Sequence, residues 1–168
     1  GFAYIIPYGD VAQFQLGWKG YVQLGMRTGQ YKTMNITEVY EGQIKAWNRF
    51  TGEIEFDVDL EPNQEKEPVG YLFYFKLING YEKYVYWPRK KIFEHAKLYS
   101  KSFGNPRGQW KNNFDAMAKK TVTKLGLSTY GILSVEMQRA IEVDQAVIKE
   151  DGELDYMDKS DAIDVSSD

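Results

Sequence analysis

Residues 69–87 read VGYLFYFKLINGYEKYVYW. Two runs rich in aromatic and branched residues, Val69 to Ile78 and Tyr81 to Trp87, flank Asn79-Gly80. Both turn residues tolerate positive φ, so this is the strongest hairpin signal in the chain. Just upstream, Thr33 to Tyr40 and Gln43 to Phe50 are β-like, Thr51-Gly52 is a tight turn, and Ile54, Phe56 and Val58 alternate inward along Glu53 to Asp59. The polar stretch LEPNQEKEP (residues 60–68) joins this meander to the hairpin as a loop. Nearer the start, Ala3 to Pro7 and Val11 to Leu16 form a second hairpin around Tyr8-Gly9-Asp10. Gly17 to Arg27 follows as a helix with Trp18, Tyr21 and Val22 on its apolar side, ended by Thr28-Gly29.

Downstream the period changes to that of helices. Pro88 opens a helix running to about Tyr99. Ser100 to Gln109, built of Ser, Gly, Asn, Pro, Arg and Lys, reads as a turn or loop. Phe114, Met117, Ala118, Thr121, Val122 and Leu125 then fall at steps of three and four, one apolar stripe of a helix. Gly126 is expected to fray or end that helix, at about 1 kcal/mol against Ala. Leu127 to Ile132 reads as a connection, and Ser134-Val-Glu-Met-Gln starts a last helix reaching about Ile148. Strands clustered before helices give an α+β class: a curved antiparallel sheet, hairpin plus meander, with helices packed on one face.

The chain has 168 residues, enough for one domain of ordinary size. There is no cysteine, hence no disulfide framework or thiol chemistry, which fits a reducing cytoplasm. No apolar run approaches the roughly 20 residues of a membrane span. Charge is strongly segregated. From Lys83 to Lys124 eleven Lys and Arg stand against Glu94 and Asp115, a net +9, although the whole chain is −3. Residues 149–168 carry eight acidic residues and two lysines, a composition read as an acidic disordered tail. The division expected is therefore residues 1–148 as the folded domain and 149–168 as tail.

Enzymatic chemistry finds little support. His95 is the only histidine, so there is no Cys/His metal set. Neither a nucleophile elbow nor a phosphate loop is present. Glu53, Glu55, Asp57 and Asp59 alternate on one strand, a spacing that suits a divalent cation or, more simply, a solvated sheet face. No cofactor is implied. A sequence-neutral nucleic-acid binder fits better: it needs a basic groove and flat side chains rather than base-reading groups. Asp115 and Lys119 lie one helical turn apart, as do Lys120 and Lys124, and an i,i+4 pair between Asp115 and Lys119 is expected. Lysines on a helix flank also describe an ordinary solvated face. Lys19 lies at a strand-to-helix junction between Gly17 and Gly20, where a backbone or a phosphate can approach closely.

Three long stretches carry a resemblance: AQFQLGWKGYVQLGMRTGQY near the start, WKNNFDAMAKKTV, and YGILSVEMQRAI near the end. Over about residues 1–148 the chain resembles the RecT family of phage single-strand annealing proteins. The resemblance implies the annealing-protein fold, a curved sheet and a long helix lining a groove. It implies ATP-independent annealing of complementary single strands in phage-type recombination, with single-stranded DNA and the annealed duplex as ligands. It also implies assembly into rings or helical filaments, and a companion exonuclease and a host single-strand-binding protein as partners, in the cytoplasm of a bacterial host and away from any membrane. Gln15, Lys19 and Arg27 match the first motif, and Lys111, Asp115, Lys119, Lys120 and Lys124 match the second. With Arg107 in the basic loop, the DNA-contacting set expected is Gln15, Lys19, Arg27, Arg107, Lys111, Lys119, Lys120 and Lys124. Relatives carry helical sequence before the point at which this sequence starts, so an N-terminally truncated fragment is expected. The remaining readings are a nucleic-acid-binding module without annealing activity, and a scaffold that binds no nucleic acid.

Overall fold

The structure, a computed structural model, describes residues 2–8, 11–100, 102–144, 146–148 and 154–156. Strands β1 (Ala3–Tyr8) and β2 (Val11–Leu16) form an antiparallel hairpin with Ala3 opposite Leu16. The turn residues Gly9 and Asp10 lie outside the described residues. Helix α1 (Trp18–Arg27) follows after the single residue Gly17. Next come β3 (Tyr31–Val39), a short ribbon of β4 (Ile44–Trp47) and β5 (Ile54–Phe56), then β6 (Gly70–Leu77) and β7 (Glu82–Pro88). Four helices complete the body: α2 (Arg89–Tyr99), α3 (Gln109–Asn112), α4 (Phe114–Tyr130) and α5 (Val135–Val143). Two short strands, β8 (Ala146–Ile148) and β9 (Leu154–Tyr156), follow.

The class is α+β with antiparallel pairing, as expected, but hairpin and meander do not form one sheet. There are three among the described residues: β3-β6-β7, β1-β2-β8-β9, and the ribbon β4-β5. The reason is local. With only Gly17 between β2 and α1, the chain turns out of the hairpin before it can lay down a third strand. β2 pairs instead with β8, Ala12 opposite Ile148.

β6 is the centre. It pairs with β3 on one side and β7 on the other, and nearly every residue along it is buried. Tyr71, Phe73, Phe75 and Leu77 alternate onto one face and join Ile92, Ala96, Met117, Ala118, Val122, Leu127 and Met137 of the helices in the main core. Leu72 faces the other way, with Val39, Ile54 and Tyr86, and Trp47 and Phe56 of the ribbon pack against them. The domain thus has three layers, and the helices cover only one face of the central sheet. Burying each large apolar side chain of β6 contributes about 1.5–3 kcal/mol.

The helix boundaries correct two expectations. The basic helix does not stop at Gly126: α4 runs on to Tyr130 and takes in most of the expected connection. Gly126 is buried, and a Cβ there would lie 2.3 Å from Cδ1 of Phe73. The missing side chain lets α4 settle onto β6, and the packing offsets the propensity cost. The last helix, capped by Ser134 accepting from the Met137 N–H at 3.1 Å, ends at Val143 rather than Ile148. Its expected last residues form β8 because the edge of β2 accepts them. Of the residues expected as tail, Leu154–Tyr156 form β9 against β8, the fourth strand of that sheet. The rest of residues 149–168 lies outside the described residues.

Because Gly126 is fixed by contact with Phe73, Gly126→Ala is expected to destabilise the fold by about 1–3 kcal/mol, against its helix propensity. Combining it with Phe73→Leu should cost less than the sum of the two single changes. Urea unfolding of the three variants checks this, and a stabilised Gly126→Ala would mean that α4 does not sit as close to β6 as described.

Candidate nucleic-acid interface

Helical geometry puts Lys120 and Lys124 on one side of α4, the helix that packs against α1. Lys120 is buried, and its Nζ reaches Oδ1 of Asp144 at 2.9 Å. The Asp144 carboxylate is wholly enclosed. It also accepts from the Leu16 N–H at 2.8 Å and the Tyr21 hydroxyl at 2.8 Å, and Lys124 Nζ stands 3.7 Å away. Burial pushes the pKa of Lys120 down, and Asp144 opposes that shift. Burial, with Asp144 beside it, pushes the Tyr21 hydroxyl well up, so it stays a neutral donor. Lys120 was expected to line a phosphate groove; its ammonium instead neutralises an interior carboxylate. Lys124 keeps about a third of its side chain in solvent.

One residue earlier, Lys119 lies between Trp18 and Glu38 with 18% of its side chain exposed. Lys119 Nζ lies 5.4 Å from the centroid of the Trp18 ring, and Lys19 Nζ lies 5.6 Å from the same centroid. Lys19 and Lys119 thus meet at one indole ring, their ammonium groups at most about 11 Å apart. Lys119 also pairs with Glu38 of β3 at 2.6 Å, not with Asp115. The close approach expected at Gly20 is used by the protein itself, since a Cβ there would meet the Phe2 carbonyl oxygen at 2.4 Å.

At the start of α4 a second cluster joins sheet and helices. Asp115 accepts from the Tyr71 hydroxyl and from Arg89 Nη1 at 3.2 Å, and Arg89 Nη1 also donates to Tyr71 at 2.5 Å. Arg89 lies over the Phe114 ring at 4.1 Å, and its Nη2 reaches Glu67 at 3.4 Å. Burial, followed by the bond to Asp115, pushes the Tyr71 hydroxyl far above its ordinary value. An open cleft of about 600 Å³ lies alongside, lined by Tyr40, Arg89, Lys111, Asn113 and the 64–68 segment among others.

The remaining expected contacts scatter. Lys111 on α3 is exposed at that cleft. Arg107 is exposed in the loop before α3. Arg27 closes α1, eight residues and about 12 Å along the axis from Lys19. Gln15 is half-buried on β2, opposite Tyr4. His95 packs between Trp87 and Tyr99, with ring centroids at 5.2 and 4.8 Å. Among the described residues no group of three or more His, Cys, Asp or Glu is placed to hold a metal ion, and no helix is long and apolar enough to cross a membrane. Arg89 was not anticipated. A signal existed: Arg89, Lys90 and Lys91 open α2 with no acidic residue in its first turn, against the helix dipole.

The interior pair is asymmetric. Asp144→Ala leaves the Lys120 ammonium buried without its carboxylate and is expected to cost about 3–5 kcal/mol. Lys120→Met should cost clearly less, since Asp144 keeps Leu16, Tyr21 and Lys124. Equal losses in chemical denaturation would contradict this reading of the node.

The sequence matches two curated relatives and one family model. "Uncharacterized protein YqaK" of Bacillus subtilis (strain 168) is 53% identical over 142 residues, covering 84% of this chain and 48% of that protein. "Protein RecT" of Escherichia coli (strain K12) is 30% identical over 172 residues, covering 95% of this chain and 60% of that protein. The chain thus spans about half to three-fifths of the length of these curated relatives. The RecT family model matches residues 1–159, and on that match the chain belongs to the RecT family.

Proposed function

We propose that this protein binds single-stranded DNA without sequence preference and anneals complementary strands, without ATP, in phage-type recombination. Family membership over nearly the whole chain carries the reading. The geometry supports the polyanion-binding part: Lys19 and Lys119 flank one indole ring, and Arg89 and Lys111 stand at an open cleft. Ammonium groups beside an aromatic face suit a strand held by its phosphates, with stacking that any base satisfies. Gln15, Arg27, Arg107 and Lys124 extend the proposed contact set, and Lys120 acts through the fold alone.

In this reading cations lower the repulsion between two phosphate backbones, the bases stay exposed, and pairing supplies the specificity. The protein is a binder, not a catalyst. One domain covers few nucleotides, so annealing long strands takes several copies along the DNA, in a ring or helical filament. A companion exonuclease would supply single strands, and a host single-strand-binding protein would hold them. Residues 1–148 form the binding domain in this proposal, and 149–168 an acidic appendage.

The test mixes two complementary labelled oligonucleotides with the protein in the absence of ATP. Accelerated pairing is expected. Binding without acceleration would leave a nucleic-acid-binding module, and no binding at low salt would leave a scaffold. Affinity should fall steeply with salt, and Lys19→Ala, Lys111→Ala and Lys119→Ala should each flatten the slope by roughly 0.7. An unchanged slope in all three variants would remove these faces from the interface.

A further inference from the structure

Arg89 is held on three sides. Its Nη1 edge is committed to Tyr71 and Asp115, and its plane lies on the Phe114 ring. Its Nη2 meets Glu67 at 3.4 Å, and both residues line the cleft. The Glu67 side chain is 78% exposed, whereas only 26% of the Arg89 side chain is. A fixed guanidinium therefore presents one outward edge, covered by a carboxylate that stands largely in water.

The segment that carries Glu67 is itself lightly held. Residues 61–67 contain Glu61, Glu65 and Glu67 against Lys66. Inside the segment, Asn63 accepts from the backbone N–H of Glu65 and of Lys66. Lys66 meets Glu41 at 3.9 Å with both side chains exposed. The firm anchor comes just after, where Pro68 is buried and the Val69 N–H donates to Val39 at 2.8 Å.

We propose that Glu67 is a displaceable internal anion on Arg89, so that residues 61–67 gate the cleft and yield their place to a backbone phosphate. This rests on the polyanion-binding reading above and adds its regulation. An arginine fork accepts carboxylate and phosphate oxygens in the same geometry. The Glu67–Arg89 pair, long and with its acid largely in water, is weak, while a phosphate entering the cleft also meets Lys111. Asp115 stays in place because it is also held by Tyr71, keeping the guanidinium aimed while its outer partner is exchanged.

The test measures binding of a labelled oligothymidylate by fluorescence anisotropy at low salt. Glu67→Gln should bind about two- to five-fold more tightly than the parent. Glu65→Gln makes the same charge change in the same segment and should have a smaller effect. In an Arg89→Gln background the Glu67→Gln gain should vanish. If Arg89→Gln does not fold, the Glu65 and Glu67 variants decide alone. Equal gains from Glu65→Gln and Glu67→Gln, or a gain that survives loss of Arg89, would overturn the gate and leave the binding reading intact. Failure of the parent and of every variant to bind would overturn both.

Discussion

A carboxylate with no access to water governs how this domain is joined. Asp144 sits past the end of α5, yet it touches β2 through Leu16, α1 through Tyr21 and α4 through Lys120. An ionised carboxylate in such a place costs several kcal/mol unless its partners are close and well aimed. Here they come from the β2–α1 junction, far back along the chain, and from α4, a separate element. Satisfying Asp144 therefore fixes where the N-terminal hairpin stands relative to the helical layer. It also returns the chain to β2, so that β8 two residues later finds an edge to pair with. Apolar packing supplies most of the free energy of the fold, but it is less directional than this set of bonds.

The second constraint is the two-sided burial of β6. A strand with aromatic residues on both faces needs cover on both, and the helices supply only one. The ribbon β4-β5 covers the other, which explains why a short pair of strands interrupts β3 and β6. On the helical side Tyr71 ends the buried row at a polar contact, donating to Asp115 and accepting from Arg89. The core thus runs continuously from Phe73 to the edge of the proposed interface. A cation at that edge is positioned by the same strand that organises the interior.

Local signals were legible in the sequence. Asn79-Gly80, Ser134 and Thr28-Gly29 each mark a turn or cap whose geometry depends on a few adjacent atoms, and each stands where its chemistry demands. The place of Lys120 was not legible. Helical periodicity gives its angle relative to Lys119 but not what occupies the space at that angle, and here that is α1 and a carboxylate 24 residues away. Gly126 misled for the same reason: propensity prices the helix alone, whereas its buried neighbour Phe73 belongs to a strand far back in the chain. The merging of hairpin and meander into one sheet failed because pairing partners are chosen in space, and β8 was hidden inside a helical pattern.

Counting cations along the chain overstates what a polyanion meets. Within the basic stretch, Arg89, Lys119, Lys120 and Lys124 each face a carboxylate of the protein itself. A phosphate reaching any of them must compete with that carboxylate, so the gain is the difference between two similar interactions. Burial decides how hard the exchange is. The Lys120–Asp144 pair is closed to solvent, and separating it would strand two charges in the interior. The Lys119–Glu38 pair is short and partly covered, so it yields less readily than a surface pair. The Arg89–Glu67 pair is longer and its acid is mostly in water, so exchange there costs little. One chemical motif, a cation beside a carboxylate, thus serves as a structural bond at the middle of α4 and as an exchangeable contact near its start, and depth below the surface is what separates the two.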